Sequence, residues 1–170
     1  MCMPIFAGNY TYERTTSYYT QIGISNFTNF DLTTPDIEIG GFYKNAGLGV
    51  NFKYGFDNLG DKQNEEFIYI GPVFKYKTDV PFINMIFNMG IGFGQNSYYP
   101  DNDYSGYYHK HTDKEHNDYI IPNFGVSMYI SLCKYVDIGF EPTFMYFISN
   151  QSNIDNFTTW NLAGKIKFNF

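Results

Sequence analysis

The residues best suited to chemistry lie in one polar segment, 97–118. It contains all three histidines of the chain, with carboxylates among them: His109, His111, His116, Asp113, Glu115 and Asp118. Imidazole and carboxylate groups together form a competent set of ligands for a divalent metal. The alternative is a hydrophilic surface loop whose histidines are only hydrated, and we favour that reading. The candidate metal or partner site is therefore His109, His111, Asp113, Glu115 and His116.

The same segment offers hydroxyl groups beside the histidines. Ser97 and Ser105 could each form a nucleophile–base pair with an imidazole, but such a site is defined by geometry, and nothing in the sequence fixes it. We therefore expect no catalytic residue, no enzymatic activity and no cofactor. The segment is also rich in tyrosine, which makes adaptable contact surfaces for a protein or glycan partner: Tyr98, Tyr99, Tyr104, Tyr107 and Tyr108.

The composition restricts the class of protein. The 170 residues suffice for one domain. Only 16% are charged, while 21% are aromatic, so the chain lacks the charged shell of a soluble domain. A net charge of −6 argues against nucleic acid as a partner. Cys2 and Cys133 are too few for a disulfide scaffold and have no metal-ligand spacing, so we expect two unpaired thiols.

Apolar residues recur with a period of two, the period of a β-strand. The longest nearly apolar stretch, 80–94, is too short for a transmembrane helix of roughly 20 residues. Within it Ile83, Phe87 and Ile91 alternate with Asn84, Asn88 and Gly92. The same alternation predicts strands near residues 18–25, 37–43, 47–56, 68–76, 83–94, 120–132, 136–148 and 160–170. The first is the least defined, and residues 4–13 are its rival.

The connections between these strands alternate in length. Short turns lie at 44–45, 78–81 and 133–135, and longer polar loops lie near 57–66, 97–118 and 149–157. Short periplasmic turns and long external loops are typical of outer-membrane barrels. The sequence therefore predicts an all-β fold, an eight-stranded antiparallel up-and-down transmembrane β-barrel over residues 17–170. Residues 1–16 would form an N-terminal arm or an alternative first strand.

The size of the residues decides which face looks inward. The interior of an eight-stranded barrel is narrow, and the Gly, Asn, Ser and Thr face suits it, while the bulky apolar face suits lipid. Charges on the small-residue face can pair across the interior and plug it: Glu38, Lys53, Lys75, Glu141, Lys165 and Lys167. Aromatic residues near strand ends fit the interfacial girdles: Tyr43, Tyr54, Phe56, Tyr76, Tyr146 and Trp160.

These features resemble the small outer-membrane barrels of the OmpA/OmpX type and the porin-like outer-membrane β-barrel families. The residues that carry the likeness are 40–50 (GGFYKNAGLGV), Ile70-Gly71-Pro72 and the end of the chain, 165–170. The alternating Ile166, Phe168 and Phe170 resemble the assembly signal read by the barrel-insertion machinery, although Gly164 is one position off the expected spacing. The resemblance implies export to a Gram-negative outer membrane and contact with lipid and lipopolysaccharide. The first residues do not resemble a signal peptide, which we expect to be removed or upstream.

The resemblance does not imply one activity. We expect a monomeric barrel with a structural or surface-interaction role, a plugged lumen and acidic, Tyr-rich external loops. The loop near 57–66 carries four carboxylates against one lysine: Asp57, Asp61, Glu65, Glu66 and Lys62. Two alternatives stay open. One is a narrow channel for small solutes or ions, and the other is a soluble lipocalin-like barrel that binds a ligand.

Overall fold

The computed structural model describes residues 16–28, 33–57, 65–78, 80, 83–98, 115–152 and 154–170. It contains eight strands: β1 (Thr16–Phe27), β2 (Thr33–Tyr43), β3 (Ala46–Asp57), β4 (Glu65–Thr78), β5 (Asn84–Tyr98), β6 (Glu115–Cys133), β7 (Val136–Ser149) and β8 (Phe157–Asn169). Each strand pairs antiparallel with the next, and β8 pairs with β1 to close the barrel. The predicted fold class is confirmed. In the described ranges no helix is long and apolar enough to cross a membrane.

The two ends of the barrel differ in their connections. The end that carries the short links β2–β3, β4–β5 and β6–β7 is called here the turn end, and the opposite end the loop end. Lys44 and Asn45 alone join β2 to β3, and Lys44 has a φ of 55°. Two-residue hairpin turns need such a left-handed residue, because their twist must match that of the paired strands.

The period-two pattern of the sequence becomes the two faces of the wall. Large apolar side chains of every strand are exposed on the outside, among them Ile24 (66%), Leu48 (67%) and Phe93 (64%). Most inward residues are small or polar, and a minority are large and apolar. Glycine makes room for the few large rings inside, because a Cβ on Gly92 would collide with the Tyr69 ring and one on Gly139 would collide with the Tyr129 ring.

The interior is packed in three layers. At the loop end, seven buried residues form an apolar cluster: Phe27, Phe67, Tyr69, Tyr119, Ile121, Met145 and Phe147. Toward the turn end, a smaller cluster comprises Tyr19, Phe42, Ile86 and Tyr129. Most of the buried charged and amide side chains lie between these two clusters. The barrel is thus filled with side chains, as the narrow interior of eight strands requires.

The structure refines several boundaries. The first strand is β1, near the predicted 18–25, and the rival 4–13 lies outside the described residues. The predicted loop 97–118 was too long, because β5 runs on to Tyr98 and β6 begins at Glu115. Polar residues there continue the cross-strand ladder beyond the last apolar pair, Phe93 and Ile120. Backbone pairing does not depend on the apolar alternation, so the strands extend beyond the apolar pattern that predicts them.

Candidate functional site

The candidate site is a group of charged side chains at the centre of the barrel. The structure buries all six predicted interior charges, at no more than 6% exposure each: Glu38, Lys53, Lys75, Glu141, Lys165 and Lys167. They come from β2, β3, β4, β7 and β8, so the group spans the lumen. Two buried carboxylates belong with them, Asp36 and Asp137. Asp36 lies one step outside the predicted second strand, and extending the alternation by that one residue would have found it.

Ion pairs connect these groups across the lumen. Lys165 is the centre, with its Nζ 2.6 Å from Glu141 Oε1, 3.3 Å from Asp36 Oδ2 and 3.9 Å from Glu38 Oε2. The Lys53 ammonium contacts the Asp36 carboxylate. Nearer the turn end, Lys167 Nζ lies 2.7 Å from Asp137 Oδ2. We define these eight side chains as the central charge network: Asp36, Glu38, Lys53, Lys75, Asp137, Glu141, Lys165 and Lys167.

Lys75 takes part through charge alone. Its Nζ lies 2.8 Å from Glu38 Oε1 and 3.8 Å from Glu141 Oε2, but within the described chain it makes no contact with hydrogen-bond geometry. The ammonium also lies 5.5 Å from the centroid of the Tyr19 ring. A buried cation is tolerated when opposite charges surround it. Lys75 therefore depends on Glu38 and Glu141 together.

Neutral side chains complete the hydrogen bonding of the carboxylates. The Tyr19 hydroxyl donates to Glu38 Oε1 at 2.6 Å, and Asn51 Nδ2 donates to Asp36 Oδ1 at 2.6 Å. Ser127 Oγ donates to Glu141 Oε2 at 2.5 Å. Buried charges are costly unless they are both paired and hydrogen-bonded, and these contacts meet the second condition. The network can hold opposite strands together, but its reactive atoms are shielded from any substrate.

The predicted loop site is only partly described. His109, His111 and Asp113 lie outside the described residues, as does the side chain of Glu115. His116 belongs to β6, and its Nδ1 lies 2.7 Å from Ser97 Oγ of β5. Both residues are therefore strand residues, which corrects their placement in a loop. The described residues contain no group of three or more His, Cys, Asp or Glu side chains that could hold a metal.

Among the described residues, no acid orients the Ser97–His116 pair. In a hydrolytic triad a carboxylate bonds the second nitrogen of the imidazole and fixes its orientation. In the described part of the chain, the bonds to His116 are those of Ser97 and of Gln151, whose Nε2 donates to the His116 carbonyl oxygen at 2.9 Å. The pair joins β5 to β6 above the apolar part of the wall, and this geometry gives no support for catalysis.

The end of the chain closes the barrel. Ile166 and Phe170 are exposed on the outside, and Phe168 is half-buried. The Phe170 amide donates to the Tyr18 carbonyl oxygen at 2.9 Å, which extends the β1–β8 ladder to the last residue. Of the predicted assembly signal, Ile166 and Phe168 thus lie on β8 at the seam of the barrel, and Phe170 follows the strand directly.

Comparison with known proteins identifies the fold. Neither a family model nor a curated protein matches the sequence. Solved structures do match: Neisserial surface protein A has a TM-score of 0.67 at 11% identity, covering 91% of this chain and 96% of that one. A major outer membrane protein from Thermus thermophilus has a TM-score of 0.64 at 8% identity, with coverages of 91% and 98%. The N-terminal β-barrel domain of Pseudomonas aeruginosa OprF has a TM-score of 0.56 at 11% identity, covering 91% of this chain and 97% of that one.

The chain has the fold of the small outer-membrane β-barrels. The predicted resemblance to this type is confirmed at the level of architecture, because both chains of each pair are covered almost completely. Identities of this size carry no residue correspondence, so the central charge network stands on its own geometry.

Proposed function

We propose that the protein is an integral β-barrel of a bacterial outer membrane with a closed lumen and a structural or surface-interaction role. The observation that carries the proposal is that large apolar side chains face outward and charged side chains face inward, the reverse of a soluble protein. Apolar side chains such as Ile39 and Met89 are 62% and 66% exposed, while Lys75 and Glu38 are 1% and 2% exposed. A lipid environment favours this arrangement, and water disfavours it.

The dimensions of the strands support a membrane location. The strands contain from 11 residues in β2 to 19 in β6, and a tilted strand needs roughly 9–11 residues to cross a bilayer. Tyrosine and tryptophan lie outward near both ends, as interfacial girdles require: Tyr43, Tyr54, Tyr76, Tyr146 and Trp160. The side chain of Phe56 lies outside the described residues. By the usual orientation the turn end faces the periplasm and the loop end faces outward.

The packed interior supports a closed lumen over a channel. A conducting path needs charged or polar groups that line water, but the central charge network is ion-paired, and its part around Lys165 lies between two apolar clusters. The same filling argues against a soluble ligand-binding barrel, and so does the outer wall, where most of the large apolar residues lie. In this proposal the loops carry the surface role, and their acidic, Tyr-rich residues would contact an external protein or glycan.

Assembly follows from the same proposal. The outward Ile166, Phe168 and Phe170 would be read by the barrel-insertion machinery as a terminal signal, and the closed sheet would leave the protein monomeric. Contact with membrane lipid follows from the exposed apolar wall, and contact with lipopolysaccharide from the outer half of that wall.

Planar-bilayer recording tests the closed lumen. We expect the refolded protein to insert into the bilayer without producing discrete conductance steps. Steady, well-resolved steps from the wild-type protein would favour the narrow-channel alternative. Insertion must be shown independently, by a heat-modifiable band on a gel of the protein recovered in vesicles. A lack of conductance then cannot be explained by a failure to insert.

A further inference from the structure

One inward lysine has no acidic partner among the described residues. Five described lysines point into the barrel, against four acidic side chains: Lys53, Lys75, Lys77, Lys165 and Lys167, with Asp36, Glu38, Asp137 and Glu141. The odd cation is Lys77, one residue before the end of β4. In the described structure its ammonium makes no ion pair, and it lies 3.9 Å from the centroid of the Phe42 ring.

The surroundings of Lys77 form the turn-end mouth of the barrel. Lys77 is half-buried on β4, and β8, which carries Lys167, is the strand diametrically opposite in the ring of eight. The narrow interior therefore brings the two lysines toward one another. Among the described residues, polar groups at this mouth include Asn84, Ser131, Asp137 and Asn169.

Several hydrogen-bond donors of these groups are not used by the described contacts. Asp137 already accepts from Lys167, from Ser131 Oγ at 2.7 Å and from Asn169 Nδ2 at 2.9 Å. Asn84 Nδ2 donates to Ser131 Oγ at 3.0 Å. A lysine carries three donor hydrogens and an amide two, so both lysines and both amides keep donors to spare. An anion with several acceptor oxygens is the complementary ligand.

We propose that the turn-end mouth, centred on Lys77 and Lys167, binds a phosphate group. Lysine binds phosphate as a point charge, and the amides of Asn84 and Asn169 can supply further donors. The group could be free phosphate or the headgroup of an anionic phospholipid at the same end of the barrel. The inference uses the geometry of the mouth and does not depend on the closed lumen or on the surface role of the loops.

The test compares two lysine variants of the same end. Protein refolded in neutral detergent micelles is titrated with inorganic phosphate, and separately with micelles that contain phosphatidic acid, while 31P NMR reports binding. Lys77→Met should weaken binding by roughly tenfold or more, the loss expected for one charge-assisted contact. Lys44→Met removes the same charge from an exposed turn and should change binding little, while Lys77→Arg should retain it.

The outcomes separate the sources of phosphate. Binding of inorganic phosphate that is lost in Lys77→Met assigns a site for the free ion. Binding seen only with phosphatidic acid, and lost in the same variant, assigns a lipid headgroup site. No binding by the wild type, or equal binding by Lys77→Met, overturns the proposal. A heat-modifiable band for each variant shows that it is folded, so loss of binding cannot be confused with failure to form the barrel.

Discussion

Lys165 is the residue on which the central charge network depends most. It is 3% exposed and pairs with Glu141, Asp36 and Glu38, which come from two other strands. Removing one partner of a buried ion pair leaves charge that nothing compensates, and this typically costs more than the pair itself contributes. The contacts of Lys165 therefore predict a large effect of its removal.

We expect Lys165→Met to lower the free energy of unfolding by about 3–5 kcal/mol. Urea unfolding in micelles, followed by circular dichroism, measures the change. Lys44→Met is the matched control, because the Lys44 side chain is exposed in a turn and, within the described ranges, contacts the Tyr43 ring alone, with its Nζ 5.8 Å from the ring centroid. Equal stability of the two variants would show that the buried lysine is not held by its carboxylates.

Two glycines of the wall make a second residue-scale test. A Cβ on Gly92 would collide with the Tyr69 ring, whereas a Cβ on Gly164 would meet nothing within 4 Å. Overpacking a filled interior typically costs about 1–3 kcal/mol. Gly92→Ala should therefore destabilise the barrel by about that amount, and Gly164→Ala should be close to neutral. The midpoints of urea unfolding of the two variants measure these changes in stability. A similar loss of stability at both positions would contradict the inward packing of Tyr69.

At the scale of the strand, alternation and connection length made the architecture predictable. Residues 83–94 show the reason, since Phe87 and Ile91 on one face and Asn88 and Gly92 on the other leave one way to place the strand in a narrow barrel. Strand ends were less predictable, because Ser97 and His116 are paired by the backbone ladder and lack the apolar alternation. Asp36 was missed for a different reason, because it lies one residue before Ile37, where the predicted second strand begins.

The outward face of a strand can be tested directly. Ile91 lies in the middle of β5 and is 50% exposed. In water an arginine there would be harmless, but at the midplane of a bilayer it costs about 2–4 kcal/mol. We expect Ile91→Arg to lower stability in lipid vesicles by about that amount. Ser152→Arg, in the exposed β7–β8 connection, is the control, and an unaffected Ile91→Arg would contradict contact with lipid.

At the scale of the whole molecule, the arrangement of the three interior layers could not be predicted from the sequence. The pattern identifies which residues point inward, but the partners of each charge depend on the register between strands. Lys165 meets Asp36 and Glu141 only because β8 lies beside β7 and closes onto β1, next to β2. The sorting of Phe67 and Phe147 into one apolar cluster at the loop end has the same origin. Long-range register is a property of the closed barrel.

Contact of the outer wall with lipid can be tested most directly with the one tryptophan of the chain. Trp160 lies on β8 and is 47% exposed on the outer wall, where it packs edge-on against Phe144 at 5.4 Å. The protein is refolded from urea into vesicles whose lipids carry bromine on the acyl chains, and Trp160 fluorescence is compared with that in unbrominated vesicles and in buffer. A barrel with a lipid-facing wall should form β-structure only with lipid, and the brominated chains should strongly quench Trp160. A folded barrel in plain buffer, with Trp160 unquenched when vesicles are added, would contradict contact of the outer wall with lipid.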